Sequence, residues 1–107
     1  MNLPIVVTNL VKAQDSFDSS AYANCFSETG VVYDEGKTHK GRTEIKHWNK
    51  ETNMEYNLVV KPLRFEANGP TGILKAEVSG TFPGSPTVFT YSFEFDGELI
   101  RSLKITV

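Results

Sequence analysis

The sequence predicts an α+β domain in which helices pack on one face of a curved antiparallel sheet and enclose a pocket. Two observations support this fold class. Apolar residues fall at helical spacing in the first half of the chain, whereas from Met54 onward they recur at every second position. Turn sequences such as Asn68-Gly69-Pro70 and Asp96-Gly97 divide the alternating part into strands. Helices followed by a run of strands in this way indicate an α+β domain.

Length and composition narrow the class of protein. A chain of 107 residues predicts one domain spanning 1–107. A net charge of −2 argues against a nucleic-acid surface, which is usually strongly basic. We expect no membrane association, since there is no apolar run long enough to span a bilayer. A single cysteine, Cys25, cannot form an internal disulfide, and the N-terminal residues lack a signal-peptide pattern, so a cytoplasmic location is expected.

Three N-terminal helices are expected. Residues 3–17 carry apolar side chains at helical spacing and predict the first. Asp18 is a candidate N-cap for the second helix, whose apolar stripe would be Tyr22, Cys25 and Phe26. The third would follow Gly41 and extend to about Thr52.

A short strand and hairpin are predicted between the second and third helices. Ser27–Gly30 should break the second helix, and Val31–Tyr33 should begin the strand. The turn at Gly36-Lys37 would then fold the chain back through Thr38–Lys40.

Four long strands should complete the sheet, at 55–67, 71–82, 87–96 and from Leu99 to the end. Lys61-Pro62 predicts an edge position or a bulge, because proline cannot donate to a strand ladder. The out-of-phase pair Leu99-Ile100 indicates another bulge. In 87–96 one side carries four aromatic residues, Phe89, Tyr91, Phe93 and Phe95. A sheet curled around the helices would bury them and leave a cavity at its open end.

Three stretches resemble the NTF2-like superfamily, the cone-shaped, cystatin-like fold of ketosteroid isomerases and SnoaL-type polyketide cyclases. AYANCFSETGVVYD resembles its passage from an aromatic-ended helix into a strand that ends in aspartate. KGRTEIKHW resembles the start of its third helix, and DGELIRSLKI resembles its closing hairpin. With the long strands between them, the likeness covers essentially the whole chain. Because this fold hosts many activities, it does not define the chemistry.

The resemblance also implies roles for individual residues. The isomerases' general-base aspartate aligns with Asp34, and their second acidic residue falls near Tyr91. Their oxyanion-hole tyrosine on the first helix falls near Leu10, which cannot donate a hydrogen bond. Since the isomerase pair is not intact, ketosteroid isomerisation itself is not expected.

Asp34 is the principal candidate for catalysis, as a general base. Proton abstraction beside a carbonyl needs a carboxylate whose pKa is raised by apolar surroundings, and alternation with Val32 could turn Asp34 towards the cavity. The alternative is a strand-end aspartate that accepts backbone N–H groups in the turn at Glu35-Gly36. Tyr91 and His39 are its candidate catalytic partners, as a phenol donor and as an acid/base group.

The remaining candidate site residues are aromatic and would contact a ligand: Tyr22, Tyr33, Trp48, Phe89 and Phe93. His39 and His47 match no common zinc spacing, so no metal or other cofactor is expected. The partners expected are a small hydrophobic molecule and, because the family usually associates through one side of its sheet, a second copy of the chain.

The sequence therefore leaves two hypotheses. In the first, the domain is an isomerase- or cyclase-type enzyme that uses Asp34 as a base on a hydrophobic carbonyl compound. In the second, it is a non-catalytic ligand-binding or dimerisation module of the same fold. A cavity smaller than roughly 300 Å³ would favour the second.

Overall fold

A computed structural model describes all 107 residues, which form three helices and one six-stranded sheet. In chain order these are α1 (Ile5–Asp15), α2 (Ser19–Asn24), β1 (Phe26–Asp34), β2 (Lys37–Lys40), α3 (Gly41–Tyr56), β3 (Val59–Asn68), β4 (Thr71–Ser79), β5 (Thr87–Asp96) and β6 (Leu99–Thr106). The α+β class is confirmed. Two helices precede β1, and the third follows the β1–β2 hairpin and lies between β2 and β3, as expected. None of the helices is long and apolar enough to cross a bilayer.

The strand order across the sheet is β2-β1-β6-β5-β4-β3. Every neighbouring pair is antiparallel except β1 and β6, which run parallel. The expectation of a wholly antiparallel sheet was therefore wrong. Parallel neighbours need a long connection between them. Here β2, α3 and β3 to β5 all lie between β1 and β6 along the chain, so the connection is long enough.

The first two helices are shorter than their apolar patterns predict. Pro4 precedes α1, and Phe17 beyond its end has a φ of +53°, which is incompatible with a continuing helix. Asp18 is the N-cap of α2, as predicted, and accepts a hydrogen bond from the Ala21 backbone N–H at 3.0 Å.

The first strand begins earlier than predicted, at Phe26, which is fully buried. The Ile100 backbone N–H donates to the Cys25 carbonyl at 2.9 Å, and Phe26 then pairs with Ile100. The ladder changes register between Phe26 and Val31. A Cβ on Gly30 would lie 2.9 Å from the Phe26 Cβ, so this irregularity requires glycine. The break expected at Ser27–Gly30 is thus a bulge within β1.

The third helix begins at Gly41 as predicted but continues past Thr52 to Tyr56. Gly41 has a φ of +82°, which gives the sharp entry into the helix that only glycine adopts readily. The helix ends at Asn57, whose left-handed backbone (φ +51°) lets its N–H donate to the Asn53 carbonyl at 2.9 Å. Asn57, rather than a residue near Thr52, thus ends the third helix.

The interruption predicted at Lys61-Pro62 is confirmed in both respects. β3 is an edge strand, and its register with β4 shifts between Pro62 and Arg64. The bulge predicted near Leu99-Ile100 also exists. The register between β5 and β6 shifts between Glu94 and Phe95, opposite Ile100. β4 ends at Ser79 rather than at residue 82, because Thr81 leaves the ladder and its backbone N–H donates to the Tyr56 carbonyl at 2.8 Å.

The core lies between the helices and the inner face of the sheet. Its largest fully buried side chains are Phe26, Phe93, Ile45, Leu74, Ile100 and Leu103. Each such side chain contributes about 2 kcal/mol of hydrophobic free energy relative to an exposed one. Along β5, the rings of Phe93 and Phe95 are stacked with centroids 5.5 Å apart, so the aromatic row of this strand faces inward as predicted. The core fills one part of the hollow between the two layers and leaves the rest open.

Candidate functional site

A cavity of about 1090 Å³ lies between α3 and the curved sheet and opens to solvent. It exceeds the roughly 300 Å³ at which ligand pockets begin. About half of its 23 lining residues are hydrophobic. The interior is therefore neither solid nor sealed, and it has room for a small organic molecule.

Asp34 lines this cavity at the end of β1. It is half-buried, and it shares a face of the strand with the buried Val32. Glu35 and Gly36, with φ values of +51° and +75°, form the hairpin turn through their own backbone. The turn thus does not depend on the Asp34 side chain, and the carboxyl group is free to face the cavity.

The pKa of Asp34 is raised above the usual value for aspartate. Burial is the main cause, and the nearby charge of Glu35 adds to it. The Trp48 indole and the charge of His39 oppose the rise, because both favour the charged carboxylate. A carboxylate with a raised pKa holds a proton more readily, as a general base must.

Two tyrosines, Tyr22 from α2 and Tyr91 from β5, line the cavity near Asp34. Their side chains are 3% and 7% exposed. Burial raises the pKa of both phenols well above the usual value, and the charge of Asp34 raises each of them further. Both hydroxyl groups therefore stay protonated at neutral pH and can donate hydrogen bonds. The fold thus brings together the carboxyl group and two phenol donors from three separate elements.

Trp48 also lines the cavity, and its ring lies beside those of Tyr22 and His39. Its ring centroid lies 6.0 Å from that of Tyr22 and 5.3 Å from that of His39. His39 is not among the cavity-lining residues. It packs flat against the indole, and its charge lowers the pKa of Asp34. Its expected role as a direct acid/base partner stays a prediction.

The remaining predicted contacts divide between cavity, rim and core. Phe89 lines the cavity, as expected for a ligand contact. Phe93 is 1% exposed, belongs to the core and does not line the cavity. Tyr33 touches the rim, but it alternates with Val32 and Asp34 and is 44% exposed. Its ring therefore faces away from the interior.

Sequence reasoning missed a buried group of three amides, formed by Gln14 of α1 with Asn49 and Asn53 of α3. Gln14 and Asn49 also line the cavity. A signal was present in the sequence: Asn49 and Asn53 lie four and eight residues after Ile45, and so continue a buried helical stripe. Polar residues on such a stripe indicate a buried hydrogen-bonded network.

The structure brings no three His, Cys, Asp or Glu side chains together as a metal site would require. The single cysteine is also not activated as a nucleophile. Burial raises the pKa of the Cys25 thiol to about 11, which keeps it protonated at neutral pH.

Comparison with known proteins identifies the family. A candidate polyketide cyclase from Sinorhizobium meliloti is 35% identical to the chain, with a TM-score of 0.93 over 97% of this chain and 95% of that one. The chain belongs to the NTF2-like superfamily. The fold also matches a ketosteroid isomerase-like protein from Catenulispora acidiphila DSM 44928, solved in complex with trimethylamine, at 24% identity and a TM-score of 0.89 over 99% and 87% of the two chains.

A third structure with the same fold is SalBIII, an epoxide hydrolase/cyclase-like enzyme with a role in pyran ring formation in the polyether salinomycin. It is 17% identical over 94% of this chain and 85% of that one, with a TM-score of 0.80. No family model and no curated protein sequence matches the chain.

The phenols that line the cavity do not come from the first helix. Leu10, which the family resemblance places near the isomerases' first-helix tyrosine, is buried in the core. Tyr22 on α2 and Tyr91 on β5 line the cavity instead. The donors thus reach the cavity from different elements.

Proposed function

We propose that this NTF2-like domain catalyses proton transfer beside the carbonyl group of a small hydrophobic compound, as an isomerase- or cyclase-type enzyme. The observation that carries the proposal is the grouping of Asp34, Tyr22 and Tyr91 on one cavity, about half of whose lining residues are hydrophobic. The S. meliloti neighbour, a candidate polyketide cyclase, is consistent with this class of reaction.

In the proposed mechanism Asp34 is the base. Its carboxylate takes a proton from the carbon next to the carbonyl group, and the C–H electron pair forms a carbon–carbon double bond as negative charge develops on the carbonyl oxygen. Tyr91 and Tyr22 donate hydrogen bonds to that oxygen. The proton then returns from Asp34 to a carbon of the enolate, which regenerates the base and completes the isomerisation without any net loss of atoms.

The electrostatics support this assignment of roles. Burial raises the pKa of Asp34, so the group is a stronger base than an exposed aspartate. The phenols remain neutral because burial raises their pKa as well. Neutral donors beside a basic carboxylate favour an enolate more than they favour the uncharged ketone, which is the differential binding that catalysis requires.

The test uses 2-tetralone, a bicyclic ketone with acidic C–H groups, incubated in D₂O and followed by proton NMR. We expect the wild type to accelerate deuterium incorporation over buffer. Asp34→Asn should lose roughly 100-fold or more of that acceleration, and Tyr91→Phe roughly 100-fold, the usual effects of removing a general base or an oxyanion donor. Asp15→Asn, on the exposed end of α1, is the control. Equal exchange by wild type and Asp34→Asn would remove Asp34 from the mechanism.

A passive binding role is the second candidate, and the aromatic residues that line the cavity beside Asp34 favour it. Tyr22 and Trp48 lie with ring centroids 6.0 Å apart beside the Asp34 carboxyl group. Aromatic faces next to a carboxylate suit an alkylammonium ion, and the C. acidiphila neighbour was solved with trimethylamine. Calorimetric titration with trimethylammonium chloride distinguishes the two: binding lost in Asp34→Asn, without any exchange of 2-tetralone by the wild type, would favour the passive role.

A further inference from the structure

The three buried amides form a closed ring of hydrogen bonds. Gln14 Nε2 donates to Asn53 Oδ1 at 2.6 Å, Asn53 Nδ2 donates to Asn49 Oδ1 at 3.2 Å, and Asn49 Nδ2 donates to Gln14 Oε1 at 3.0 Å. Each amide thus donates to one neighbour and accepts from the other. The ring joins α1 to α3 at the wall of the cavity.

A backbone carbonyl fixes the direction of this ring. Gln14 Nε2 also donates to the Leu58 carbonyl oxygen at 3.2 Å. Because a carbonyl oxygen can only accept, the nitrogen of Gln14 must face Leu58 and its oxygen must face Asn49. Turning any one amide over would then place two donors or two acceptors face to face.

Only part of the hydrogen-bonding capacity of Asn49 is used within the protein. Its Oδ1 accepts from Ser19 Oγ at 2.8 Å as well as from Asn53, so both lone pairs are occupied. Its Nδ2 carries two hydrogens and gives one to Gln14. Asn49 is 2% exposed and lines the cavity, whereas Asn53 does not line it. One N–H of Asn49 therefore has no acceptor within the protein, at a buried residue that lines the cavity.

We infer that Asn49 is a specificity-determining residue, which donates a hydrogen bond to an acceptor oxygen of the bound molecule. The inference rests on the proposed ligand-binding function of the cavity. The ring holds the amide in one orientation, so this donor is preorganised on the helical wall, while Asp34 and Tyr91 reach the cavity from the sheet. The ligand class is thus a hydrophobic compound with two oxygen functions: one handled by the carboxyl and phenol groups, and a second that accepts from Asn49.

The experiment compares two probes of the same shape, 6-acetyl-2-naphthol and 6-isopropyl-2-naphthol, by fluorescence titration at pH 6. Both have a hydroxyl group at one end, but only the acetyl probe has an acceptor oxygen at the other. A site without the Asn49 donor should bind the isopropyl probe at least as well, because it is the more apolar. We expect the wild type to bind the acetyl probe about fivefold more tightly, the effect of one typical hydrogen bond.

The variant Asn49→Asp removes the donor and keeps the ring. A carboxyl group buried there is neutral, because burial disfavours its charged form. Its single hydrogen can replace the bond to Gln14, and nothing is left for the cavity. Asn53→Asp is the matched control, since it makes the same chemical change in the same ring at a residue that does not line the cavity. Thermal melting of both variants checks that they fold.

The fivefold preference should disappear in Asn49→Asp and persist in Asn53→Asp. The same preference in both variants, or none in the wild type, would overturn the role of Asn49. Failure of the wild type to bind either probe would instead overturn the proposed function of the cavity. An NMR titration of the wild type gives a readout without mutation: the acetyl probe should shift the side-chain NH₂ signals of Asn49 more than those of Asn53, and the opposite order would contradict the inference.

Discussion

His39 stacks on Trp48 with ring centroids 5.3 Å apart and planes 27° from parallel. Trp48 lines the cavity and His39 does not, although its position in the hairpin led us to expect it near the cavity mouth. His39 does not line the cavity, but its positive charge lowers the pKa of Asp34. In the proposed mechanism, the residue whose charge tunes Asp34 is therefore distinct from the residues that contact the substrate.

The charge of His39 leads to a prediction about pH dependence. His39→Gln should move the acid limb of the 2-tetralone exchange profile to higher pH, because removing a positive charge raises the pKa of Asp34 further. The maximal rate on the plateau should change little. His47→Gln is the control, since His47 lies exposed on α3 beside Glu51 and does not touch the cavity. A large loss of plateau rate in His39→Gln, with the acid limb unmoved, would show direct participation instead.

Asp34 should also make the folded state less stable at neutral pH. Its pKa is raised on folding, so the native state binds the proton more tightly than the unfolded chain does. Stability should therefore fall as the pH rises from the usual aspartate pKa through the raised one. Asp34→Asn should unfold at a higher temperature than the wild type at pH 7, and the difference should vanish at acid pH. The exposed Glu98→Gln variant is the control; a stabilisation that is the same at every pH would contradict the assignment.

Phe93 and Phe89 should respond differently to truncation although they share one face of β5. Phe93→Ala should cost roughly 4 kcal/mol of unfolding free energy, because it leaves a void in the core. Phe89→Ala should cost less than half of that and should weaken the binding of 6-acetyl-2-naphthol, since Phe89 lines the cavity. Urea unfolding and fluorescence titration measure the two effects. Equal stability losses would mean that the division between core and cavity is wrong.

The homodimer expected from the family likeness stays a prediction, and the outer face of the sheet is the proposed interface. Val59, Ile73 and Val88 lie on that face and are 44–49% exposed. Val88→Lys should convert a dimer to a monomer at micromolar concentration, because it places a charge in an apolar contact. Met54→Lys, an exposed position on α3, should not. Sedimentation analysis gives the masses, and a monomeric wild type would refute the prediction.

The sequence by itself determined the fold class and the inward-facing residues of most strands. Alternation places Phe89, Tyr91 and Phe93 on one face of β5, and the same rule applied to Val32 turns Asp34 inward. The bulges at Pro62 and near Ile100 were also readable, because proline and out-of-phase residues interrupt a ladder locally. These features depend on residues that are close in sequence.

Only the tertiary structure decided which inward-facing residues meet the cavity and which fill the core. Phe93 is covered by packing and Phe89 is not, although their local patterns are the same. The parallel pairing of β1 with β6, the position of His39 behind Trp48 and the amide ring between Gln14 and Asn49 all join residues distant in sequence. Periodicity fixes the face on which a side chain lies, but long-range packing decides what covers that face.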